Sequence, residues 1–215
     1  YFDEKGFKNA SVEIEQTEDA TGENNVLLDI RINKNEKVKI HRIYITGVTN
    51  KEASKVKGAM KKTKEKTFKN FLRSKKFIPE KYAEDKDNAI SRLNAWGYRD
   101  ALLLSDSVAN RPDGKVDIYL DFYKGKKYYL RNVEWVGNKV YTTEQLNYML
   151  RMKRGDVYDL TLLDRRLNSD DDAVGQQYYN NGYVFYQLNP VEINIDGDSI
   201  DLEMRIVENN QATFN

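Results

Sequence analysis

Strict alternation of apolar and polar residues, met three times at a near-constant spacing, restricts this chain to a repeated sheet. Within 113–137, Val116, Ile118, Leu120 and Phe122 are apolar while Asp117, Tyr119 and Asp121 stand between them. A period of two gives one buried face and one wet face, a half-buried strand. A Lys-Gly-Lys-Lys link follows, then YYLRNVEWV, which halts at Gly137. Upstream, Val26, Leu28, Ile30 and Ile32 alternate, NKNEK links, VKIHRIYIT follows and Gly47 stops it. Ile32 to Gly47 and Phe122 to Gly137 both span 15 residues. Ile200, Leu202, Met204 and Ile206 give the third alternation, so the pattern returns about every 85–90 residues, an internal repeat.

Taken in order, each repeat reads β-α-α-β-β. In the first complete one, 37–124, the apolar phase changes between Ile40 and Ile43, which suits a linker residue or a bulge. Thr49 or Asn50 caps a short helix carrying Ala53, Val56 and Met60. Pro79 opens a second helix whose stripe is Tyr82, Ala89, Ile90, Leu93 and Trp96, ended by Gly97. Two strands follow, Asp100–Val108 and the alternating one. The second repeat, 125–209, has a capping box at Thr142 and Gln145, and a break at Arg154-Gly155-Asp156. Its second helix runs through Leu163, Leu167, Val174 and Tyr178, and its strands cover Tyr183–Ile193 and 199–207. Residues 1–36 read as the C-terminal part of a truncated repeat, a helix end plus a hairpin with a turn at ATGENN. Residues 210–215 read as the start of a further one.

The fold class that follows is α+β, with tandem three-stranded mixed sheets of order 1-3-2 and two helices on one face. Two helices reverse the chain twice, so strand 3 lies parallel to strand 1 and is hairpin-linked to strand 2. Strand 2 is then an open edge.

Composition closes off several chemistries. His41 is the only histidine and there is no cysteine, which leaves no histidine triad, multi-histidine metal site or thiolate site. His41 itself reads as a surface residue between Lys39 and Arg42. Asp170-Asp171-Asp172 reads as a solvated helical face, since consecutive carboxylates on a helix fan about 100° apart. Asp196-Gly197-Asp198 reads as a hairpin turn. No enzyme, metal or cofactor is expected. A net charge of +1 argues against a nucleic-acid binder, and no GXXG loop or stacking platform is present.

The order of elements, Gly47 and Gly137 after strand 1, Gly97-Tyr98 and Gly182-Tyr183 ending helix 2, and Gly155-Asp156-Val157-Tyr158 between helices together resemble polypeptide-transport-associated (POTRA) domains. The tandem is similar to the periplasmic arm of an outer-membrane β-barrel assembly factor, holding part of the second repeat and the whole third and fourth. That resemblance implies a non-catalytic scaffold at the periplasmic face of the outer membrane. Its implied partners are unfolded outer-membrane proteins, accessory lipoprotein subunits and a C-terminal membrane barrel outside this sequence, with no nucleic acid. The POTRA arm of a related barrel transporter is the alternative within the family, and a nucleic-acid-binding α/β tandem the one outside it.

Two stretches are candidate contacts. Ala101, Leu102, Leu103, Leu104 and Ser105 lie on the edge strand of the first complete repeat and lack a proline, whereas Pro190 blunts the same edge in the second. The basic insertion, with Lys61, Lys62, Lys64, Lys66, Lys69, Arg73, Lys75 and Lys76 against Glu65 alone, interleaves Phe68 and Phe71. It reads as an exposed loop, or as a partner or anionic-lipid contact near that edge.

Overall fold

The computed structural model describes residues 1–2, 7, 10–18, 26–34, 37–65 and 76–212. By contacts it divides into two units, Tyr1–Ala89 with Leu104–Asp121, and Ile90–Leu103 with Phe122–Asn215. Most of the helix end expected at the N-terminus, the ATGENN turn and the last three residues of the tail lie outside the described residues.

In the first unit, β1 (Ser11–Glu18) and β2 (Val26–Asn33) form an antiparallel hairpin. Val12 faces Ile32 and Ile14 faces Ile30, yet every residue of β2 is exposed. A two-stranded ribbon without a covering layer is marginal in water. Amide exchange across Val26–Ile32 is therefore expected to run roughly 100-fold faster than across Val116–Leu120. Equal protection of the two strands in a proven monomer would overturn this.

The first three-stranded sheet contains β3 (Lys39–Thr46), β4 (Leu102–Asn110) and β5 (Lys115–Tyr123), in the order β3-β5-β4. β3 and β5 are parallel, and the register slips between Ile40 and Arg42. That bulge is the phase change seen in the sequence. Helix α1 (Asn50–Ala59) starts at Thr49, whose side chain and Glu52 form a reciprocal capping box. Helix α2 (Pro79–Asn94) begins on its proline. Ile40, Ile43, Val56, Met60, Val116, Ile118 and Leu120 fill the space between sheet and helices. His41 is not a free surface residue: its ring bonds Asp117 at 2.8 Å, and Arg111 holds the other oxygen of the same nearly buried carboxylate at 3.0 Å.

The second unit repeats the plan with β6 (Tyr129–Val136), β7 (Gln187–Asp196) and β8 (Ser199–Val207) in the order β6-β8-β7. β6 is parallel and β7 antiparallel to β8. Its bulge, between Leu130 and Asn132, sits at the position equivalent to that in β3. Helix α3 (Thr143–Leu150) has the expected capping box. Leu146, Leu150, Leu163, Tyr178, Leu202 and Met204 lie at the centre of its core.

The second helix of this unit is not continuous. It consists of α4 (Leu160–Asp164), a π-helical turn over Arg165–Ser169 and α5 (Val174–Asn180). Asp170 already has extended backbone, so Asp170–Asp172 form the link between helical pieces rather than a helical face. Two of these carboxylates serve Arg166, which is only 2% exposed. The edge strands also begin later than the sequence suggests. Ala101 ends a turn, its N–H donated to Tyr98 O, and β4 starts at Leu102. Likewise Tyr183–Tyr186 are turn and linker, and β7 starts at Gln187.

Candidate partner-binding edges

β4 is an outer strand of its sheet, so one row of its backbone groups has no strand beside it. Alternation sorts its side chains between the two faces. Asp106 points to the helix side, where its carboxylate accepts from Tyr82 Oη at 2.9 Å and Lys86 Nζ at 3.2 Å, both on α2. Leu104 shares that parity and is 60% exposed, an apolar side chain next to a helix without being covered by it. Leu102, of the same parity, is 44% exposed. Burial, and then the carboxylate of Asp106, push the Tyr82 phenol far above its ordinary range, so it remains a donor and fixes the strand against α2. On the other face Ser105 and Ser107 line a hollow of about 160 Å³ with Tyr44 and Tyr119, whose rings stack at 4.9 Å. The five edge candidates thus divide into Ala101 in the turn, Leu102 and Leu104 on the helix face, and Leu103 and Ser105 on the wet face.

The described residues include only the two ends of the basic insertion. Lys66, Phe68, Lys69, Phe71, Arg73 and Lys75 lie outside them. At the first end the fully buried Asp85 carboxylate accepts from the backbone N–H of Lys62 and Thr63, at 2.9 and 2.5 Å. Lys62 Nζ pairs with Glu84 and Lys64 Nζ donates to the carbonyls of Lys57 and Gly58, so both cations serve the fold; Lys61 is exposed. At the far end Lys76 makes an isolated antiparallel bridge with Lys39 of β3. β3 is the opposite edge from β4. The described end at Lys76 therefore lies across the sheet from Leu102–Ser105 and not beside them, because the chain must return to the edge of strand 1 before α2 begins.

A third feature escaped the sequence reading. In the second unit a groove of about 780 Å³ opens between β6 and α3, lined by Arg131, Val133, Tyr148, Arg151, Lys153 and Arg154 among others. Three of its basic residues, Arg151, Lys153 and Arg154, stand together in the sequence, but Arg154-Gly155-Asp156 reads there only as a helix breaker. Arg131 joins them once the edge of β6 and the end of α3 are side by side.

Residues 128–209 match the family model for POTRA, described as the surface antigen variable number repeat. The chain is 26% identical over 196 residues to a Treponema pallidum (strain Nichols) protein provisionally named an outer membrane protein assembly factor, covering 88% of this chain and 22% of that protein. It is 23% identical over 137 residues to the outer membrane protein assembly factor BamA of Neorickettsia risticii (strain Illinois), covering 60% of this chain and 18% of that protein. The chain thus spans about a fifth of the length of these curated relatives. Among solved structures, POTRA3-5 of Haemophilus influenzae BamA aligns with a TM-score of 0.55 at 14% identity, over 96% of this chain and 75% of that one. BamA of Haemophilus ducreyi lacking POTRA domains 1-3 aligns with a TM-score of 0.60 at 17% identity, over 80% and 30% respectively. At such identity these two likenesses concern the fold alone.

Proposed function

We propose that this chain, which carries POTRA repeats, is the non-catalytic binding arm of an outer-membrane β-barrel assembly factor. In this reading 37–124 and 125–209 are complete repeats, 1–36 the remainder of one before them, and 210–215 the start of one after. The arm works at the periplasmic face of the outer membrane and receives unfolded outer-membrane proteins and accessory lipoprotein subunits. No helix among the described residues is long and apolar enough to cross a membrane, and the barrel would be supplied by other parts of the protein.

The observation that carries the reading is β4, an outer strand with two exposed leucines on its helix-facing side. A strand added there bonds through its main chain, which suits clients whose common property is strand propensity rather than a shared sequence. Alternate side chains of the added strand would lie over Leu104 beside α2. The test places proline singly at Leu102, Leu103 and Leu104 and measures binding of a strand-forming client peptide. At least one substitution is expected to weaken binding by tenfold or more while the circular dichroism stays unchanged, since an outer strand tolerates proline where its N–H points outward. Unchanged binding by three folded variants would sink the strand-addition reading and move the contact to the basic insertion.

A further inference from the structure

The two repeats treat the edge of their first strand differently. In the first, the Ile43 N–H points away from β5 and donates to Glu65 Oε2 at 2.9 Å. The same carboxylate takes Lys57 Nζ of α1 at 3.1 Å, so one acidic side chain occupies the groove between strand edge and helix. Val133 is the residue equivalent to Ile43: both follow the bulge, and they pair in register with Leu202 and Ile118 respectively. Its N–H consequently faces the groove beside α3.

The bridge that closes this edge is also repeated, Lys39 with Lys76 and Tyr129 with Val157. However, 37 residues separate the first pair and 28 the second, so the second connection is nine residues shorter and brings no counterpart of Glu65. What it brings is positive charge. Arg131 is held by Asp201 and Asp196, and Arg151 by Asp172, whereas the side chains of Lys153 and Arg154 make no ion pair among the described residues. The one carboxylate in the lining, Asp156, accepts from the Lys153 backbone N–H at 2.9 Å.

We infer that the groove between β6 and α3 receives an acidic side chain of a partner polypeptide in extended conformation, placed as Glu65 is placed in the first repeat. The carboxylate accepts from the Val133 N–H and pairs with Lys153 and Arg154, while Tyr148, 80% exposed at the rim, covers the peptide. The occupant is a polypeptide rather than a small anion because the group seated at this edge in the first repeat is a glutamate side chain, bonded at once to the strand N–H and to a lysine of the neighbouring helix. The inference is independent of strand addition at β4, which lies in the other sheet.

The test uses the whole chain, ¹⁵N-labelled, and a fluorescent peptide alternating Glu with Val, with its Gln-for-Glu analogue as comparison. The Glu peptide is expected to bind at least tenfold tighter than the Gln analogue and to move the Val133 amide resonance. The double substitution Lys153→Glu with Arg154→Glu is expected to cost at least tenfold in affinity, with the remaining amide spectrum unchanged. The single Lys153→Gln is a milder variant should the double one fail to fold, and it is expected to weaken binding about threefold. Equal affinity for the two peptides, or binding indifferent to both sets of substitutions, overturns the inference. So does a Val133 resonance that moves with inorganic phosphate or phosphatidylglycerol vesicles and not with the Glu peptide.

Discussion

Replacing Gly137 by alanine is expected to lower the melting temperature of the second unit by roughly 20 °C. The residue ends β6 with φ at 91°, a backbone region that side chains disfavour, which alone costs about 1–2 kcal/mol. The added Cβ would also run into the carbonyl oxygen of Ile206, far inside contact distance. This obstacle is backbone of β8, and it is pinned because Ile206 pairs with Leu188 in β7 and buries its side chain. The sheet must part at that end, for a total near ~4 kcal/mol. Gly197 makes the control: φ is 63° and nothing lies within 4 Å of the place a Cβ would take, so alanine there should cost only the backbone share of about 1 kcal/mol. Trp135, buried in this core, reports both melts by its fluorescence. Equal midpoints for the two variants would show that the close approach to β8 does not hold.

Arg166→Met is the second large effect, expected to cost about 3 kcal/mol in urea unfolding. The guanidinium donates from Nε to Met149 O at 2.8 Å, so it ties the π-helical turn to the end of α3. It also donates to Asp172 O at 3.3 Å and to the carboxylates of Asp170 and Asp172. Methionine fills similar space but takes a donor away from two carbonyls and two carboxylates. Arg166→Lys should recover only part of the loss, because an ammonium cannot reach the carbonyl and the carboxylates in one plane. A cost below about 0.5 kcal/mol for Arg166→Met would mean that the network is ornamental.

The same cluster gives a direction for pH. Hydrogen bonds from Arg166 hold the Asp172 carboxyl below its ordinary value, and those from Arg165 and then Arg166 do the same for Asp170. A carboxyl depressed by folding stabilises the fold above the unfolded value and loses that contribution as pH falls through the folded one. The difference between wild type and Arg166→Met should therefore be constant at neutral pH and shrink below about pH 4.

What could be read in advance depended on how local the cause is. The capping box at Thr142, a cap at Thr49 or Asn50, the glycine after each first strand and the phase change at Ile40 are each set by a few neighbouring residues, and all have structural counterparts. Strand order followed from chain reversals and a hairpin. The broken helix was hidden for a definite reason: Leu163, Leu167, Val174 and Tyr178 are spaced 4, 7 and 4 apart, which an unbroken helix also satisfies. Periodicity cannot register a break that restores its own phase. Nor can it reveal partners brought together from afar, such as Asp85 with the Lys62–Thr63 amides or Glu65 with Ile43, 22 or more residues apart. The β6 groove belongs there in part, since Arg131 meets Arg151, Lys153 and Arg154 only after the edge and the helix are assembled.

The bulges of β3 and β6 set a constraint of another kind, on the changes of length that each strand can take. A bulge adds one residue to one strand, and gaining or losing it reverses the facing of every side chain beyond it. Such a change in an established sheet would turn Ile43 or Val133 and their successors from core to water in one step. The irregularity nevertheless occupies the same register in both sheets, between Ile40 and Arg42 and between Leu130 and Asn132, although their sequences differ at most other positions. Both sheets thus share one fixed register, and inserting or deleting a single residue between the bulge and Ile43 or Val133 is expected to be tolerated by neither.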